Sequence, residues 1–135
     1  MPSFNDPAAD AVEAQEALRG LAHATRSVDD PRQIYSVLGS LSAAAASLEQ
    51  SLHQLAAFHD GPAHKRAWEA GDVRTSRAAA HQVSWELHRA GEILHQVAAS
   101  LDRAHEVEAT IANEHRDFPA LANAARPSAD RGLGL

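Results

Sequence analysis

The 135-residue chain has no cysteine. That excludes a disulfide framework, a thiolate metal site and a thiol nucleophile, while leaving the compartment open. Aromatic residues are scarce, being only Phe4, Tyr35, Phe58, Trp68, Trp85 and Phe118. With few β-branched residues beside them, any sizeable sheet is excluded. Lysine is almost missing, Lys65 standing alone against eleven arginines. No apolar run exceeds four residues, as at Ala43 to Ala46, so no stretch can span a membrane. Met1 to Asp10 offers neither a basic region nor an apolar core, so no classical signal peptide is expected and the cytoplasm is the default location. With a net charge of −6, general binding to nucleic acid, which needs a basic face, is not expected.

What the chain has is alanine, thirty residues of it, and alanine is the best helix former because it loses no side-chain entropy. It also has two uninterrupted heptad stripes. One runs Ile34, Leu38, Leu41, Ala45, Leu48, Leu52, Leu55, His59. The other runs Ala80, Val83, Leu87, Ala90, Leu94, Val97, Leu101, Ala104, Glu108, Ile111, His115, Phe118. Spacings alternating three and four keep one seam facing a partner helix over many turns. The expected fold is therefore all-α: a long antiparallel, coiled-coil-like hairpin plus an N-terminal helix.

Helix starts and stops follow from local chemistry. Asp6 and Asp30 are placed to cap helices opened by Pro7 and Pro31, where a missing N–H costs nothing. The helices are expected over about 7–26, 31–59 and 73–117, with a short helix possible at 63–70 and a break at Gly71-Asp72. Asp60-Gly61-Pro62 ends the second, with Gly61 expected in the left-handed conformation. At 1.5 Å per residue the three helices measure about 30, 45 and 65 Å. The first helix either extends past the second along the third or folds back into a three-helix bundle. One domain over 1–118 and a mostly flexible tail over 119–135 complete the layout. An alanine-rich hairpin buries little area alone, so self-association into a larger bundle is expected, with a dimer favoured.

Nine histidines invite a search for chemistry. His81, His88 and His95 recur every seven residues, and His88, Glu92 and His95 share one helical face at spacings able to hold a transition metal. Relative to the apolar stripe, however, they fall on the face away from the partner helix, where solvated polar residues are normal. Glu49 and His53 form a solitary second pair. Within the seam, His59, Glu108 and His115 are polar groups that either set register or mark its opening ends. The linker holds Arg66, Trp68 and Arg74, either an interaction tip or a tryptophan covering the open end of the hairpin. Relative to such features, a serine–histidine–acid order, a phosphate loop and paired buried carboxylates are all missing. No catalytic residue and no cofactor is expected, and the function expected is a non-enzymatic helical interaction or scaffolding protein. The metal-binding bundle on His88, Glu92 and His95 is the alternative.

The hairpin also resembles WXG100-type secreted proteins, small helical hairpins with a tryptophan-glycine turn. Here the motif reads Trp68-Glu69-Ala70-Gly71, one residue longer than W-x-G, and it follows Asp60-Gly61-Pro62 rather than making that turn. The family's Y-x-x-x-D/E motif does not follow the third helix. The resemblance covers the hairpin and would imply export with a helical partner.

Overall fold

A computed structural model describes the chain over residues 1–61 and 73–124, with side chains placed over 1–61 and 76–114. Helix α1 spans Pro7–Ala24 and closes in a 3-10 turn over Thr25–Ser27. Helix α2 spans Pro31–Asp60 and helix α3 spans Val73–Ala124. Among the described residues there is no strand, and no helix is long and apolar enough to cross a membrane. The all-α fold with an antiparallel helix pair is as the stripes require.

Both aspartate caps form. The Asp6 carboxylate accepts from the N–H groups of Ala8 and Ala9 at 3.1 Å, and that of Asp30 accepts from Arg32 N–H at 2.9 Å. Gly61 differs from expectation. Its φ of −94° and ψ of 167° are extended, not left-handed. Pro62 explains this, because its ring clashes with a helical residue before it and drives that residue to extended backbone. At the other end, α3 continues through Pro119 to Ala124. The expected short helix at 63–70 and break at Gly71-Asp72 lie outside the described residues.

Helices α2 and α3 pack along each other, whereas among the described residues no Cα of α1 lies within 8 Å of one in either hairpin helix. Among the described residues α1 therefore neither pairs along α3 nor folds back on the hairpin. A shallow cleft between Leu21, Val28, Arg32 and Val37 marks where the chain turns from α1 into α2.

The hairpin seam is rotated from the one the leucines suggest. Its buried positions are Ser42, Ala45 and Ala56 on α2 and Ala80, Ser84 and Gly91 on α3. Half-buried Leu38, Leu52, Leu87, Leu94, Leu101 and Glu108 alternate with them. One column of each stripe is thus as read from sequence, but the other moves on by one residue. Ser42, Glu49 and Ala56 face α3 in place of Leu41, Leu48 and Leu55. Ser84, Gly91, Ala98 and His105 face α2 in place of Val83, Ala90, Val97 and Ala104. Small side chains let the two backbones come close, and the bulkier residues are displaced to the side. No large side chain among the described residues is fully buried.

Candidate functional site

Rotation of the seam gives the hairpin two unlike flanks. In an antiparallel pair, residues four after each small seam position meet across one side, and residues just before them line the other. The first flank is polar and its contacts are explicit. Ser84 Oγ–H donates to Asp60 Oδ1 at 2.6 Å, and His88 Nε2 lies 3.2 Å from Asp60 Oδ2. The Nδ1 atoms of His88 and His53 are 2.8 Å apart, so one donates and the other accepts. Further along, His95 Nδ1 sits 3.2 Å from Glu49, and the Ser42 hydroxyl is bonded to Asp102. The Asp60 carboxyl is held below the usual carboxylate range, first by the Ser84 hydroxyl and next by the His88 ring.

This corrects the placement of the histidine row. His88 is half-buried against α2 rather than on the outer face, because the seam turns toward it, whereas His95 reaches Glu49 from a position that stays exposed. Their partners are also separate. His88 engages His53 and Asp60, His95 engages Glu49, and Glu92 lies 3.9 Å from His53. Among the described residues no three or more acidic or imidazole groups converge as a metal would need. Ser84, His88 and Asp60 meet, but the carboxylate sits between the other two. In a hydrolytic triad the histidine must bond the hydroxyl, and here it does not.

Glycine supplies a feature that spacing alone had not suggested. A Cβ on Gly91 would lie 2.6 Å from His53 Nε2, and one on Gly39 would lie 3.0 Å from His105 Nε2. Each helix thus seats a histidine of the other on a glycine, with Tyr35 stacked on His105 at 4.2 Å between centroids. Gly39 and His53 are two heptads apart, as are Gly91 and His105. That equal interval was the available signal.

The second flank is apolar on both helices. On α2 it presents Ile34, Val37, Leu41, Ala44, Leu48, Leu55 and Phe58. Beside it, α3 presents Val83, Ala90, Ile93, Val97, Ala104, Val107 and Ile111. Leu48, Leu55, Phe58, Val83, Ile93, Val97, Val107 and Ile111 are each 41–63 % exposed. Trp85 lies toward the polar side, with Arg89 5.3 Å over its ring. Glu108 is half-buried at the seam. Of the linker residues, Arg66 and Trp68 lie outside the described residues, and Arg74 falls in the first turn of α3.

No protein-family model, curated protein or solved structure matches this chain.

Proposed function

We propose that this protein is a helical-hairpin interaction module that acts by association with other helices, with a homodimer as its basic unit. One observation carries this reading. The buried apolar residues of the described hairpin are Ala45, Ala56 and Ala80, while eight large apolar side chains of the second flank are exposed. A hydrophobic face of this extent is a binding surface before it is anything else. The polar flank supports the same role, since its histidine and carboxylate contacts hold α2 and α3 in one register and present the apolar flank as a fixed unit.

Light scattering on the eluting full-length protein tests the proposal. A species of twice the chain mass at micromolar concentration is expected, with a melting temperature that rises with concentration. A strictly monomeric, fully helical chain whose melting temperature ignores concentration would overturn it.

A further inference from the structure

We infer that the apolar flank is the face through which two copies of this chain join, hairpin against hairpin, into a four-helix bundle. This rests on the association reading above and names its surface. The occupant is a second copy for three reasons.

Area is the first. The exposed parts of the large side chains on the flank sum to on the order of 700 Å², close to the roughly 800 Å² per partner that a stable interface buries. Helix α1 cannot supply the cover. Its 18 residues reach about 27 Å, while the α3 stripe from Val83 to Ile111 runs about 42 Å. Its only large apolar residues are Val12, Leu18 and Leu21.

Charge is the second. The chain carries −6, yet the flank bears charge only at Glu86 and Glu114, at opposite ends of the α3 stripe. Between those two glutamates the face is uncharged, so along most of its length it can meet its own copy without repulsion.

Shape is the third. The α2 stripe is built of large residues and the α3 stripe of smaller ones. A twofold arrangement sets Leu48 and Leu55 of one copy against Ala90, Val97 and Ala104 of the other, large into small on both sides of the axis. The polar flank, with His53 and His88, stays outside.

The test compares the masses of four full-length proteins by light scattering, with helicity from circular dichroism. These are wild type, Leu48→Glu, Ile93→Glu, and Gln50→Glu as a control on the opposite flank. Wild type and Gln50→Glu should be dimers, while Leu48→Glu and Ile93→Glu should be monomers at the same concentration. If wild type is monomeric, the homodimer of the association reading and this interface fall together. If wild type and both flank variants are dimeric, the interface falls while association stands. Should a glutamate variant lose its helicity, Leu48→Ala decides instead, because it keeps helix propensity and removes only apolar area. It should raise the dimer dissociation constant at least tenfold, and an unchanged constant would overturn the assignment.

Discussion

His53 of α2 lies flat against Gly91 of α3, so closely that a methyl group there would come 2.6 Å from its Nε2. The same ring bonds His88 at 2.8 Å, so it cannot retreat without losing that partner. Ordinarily, alanine in place of a mid-helix glycine stabilises by about 1 kcal/mol. Here Gly91→Ala should realise little of that gain in the wild-type background and all of it when His53 is also alanine. A double-mutant cycle by denaturant unfolding measures the difference, and equal gains in both backgrounds would show the contact to be immaterial.

The Asp60 carboxyl should make the hairpin acid-sensitive. Because its folded pKa is depressed, its stabilisation is complete above the unfolded value near pH 4 and is lost as pH falls through the lower folded value. Ser84→Ala removes the largest cause of the depression. The variant should be less stable than wild type at neutral pH, and the gap should narrow steadily below about pH 4. Thermal melts across that range check it; a gap that does not change with pH would assign Ser84 a packing role only.

His88→Asp separates a solvated outer face from a packed one. On a solvated face it would cost within about 0.5 kcal/mol. With His88 bonded to His53 and Asp60, the change places a second carboxylate beside the first and removes the imidazole contact. A loss of about 1–2 kcal/mol and a lower melting temperature are expected, part of it recovered in acid. Leu94→Asp, in the seam itself, should cost more, several kcal/mol. If both variants melt like wild type, α2 and α3 do not pair along this seam.

The two aspartate caps should differ in reach. Asp30→Ala should lower hairpin stability by about 1 kcal/mol, because α2 is packed along its length. Asp6→Ala removes similar bonds from α1, which packs on neither hairpin helix. It should reduce helical signal by fraying and leave the cooperative unfolding midpoint in place. A shift of that midpoint would mean that α1 is part of the unfolding unit.

Much of the fold was legible because its determinants are local. Asp6-Pro7 and Asp30-Pro31 announce two helix starts, and the three-four spacing announces a helix pair. The seam was read one residue out of place because each stripe contains two adjacent apolar columns, and hydrophobicity favours the column with more leucine and valine. Packing chose the smaller one. Ser42, Ser84 and Gly91 are poor candidates by composition, yet they let the backbones approach. The error carried over to the histidines, since moving one column of each stripe by one residue brings His88 from the outside to the edge of the join and His95 within reach of Glu49. Nothing in a single helix's pattern reports that His53 will meet His88, because that pairing depends on the register between helices.

The polar flank also bears on how the chain finds its fold. Its paired residues grow steadily farther apart in sequence: 24 residues for Asp60 and Ser84, 35 for His53 and His88, 46 for Glu49 and His95, 60 for Ser42 and Asp102. Once the pair nearest the turn has formed, each later one closes only a short additional loop, and the entropy of each closure stays small. A hairpin built this way can zip from its turn outward, with the Asp60–Ser84 contact early and the Ser42–Asp102 contact late. Substitutions at Ser84 should then slow folding, whereas those at Asp102 should mainly hasten unfolding.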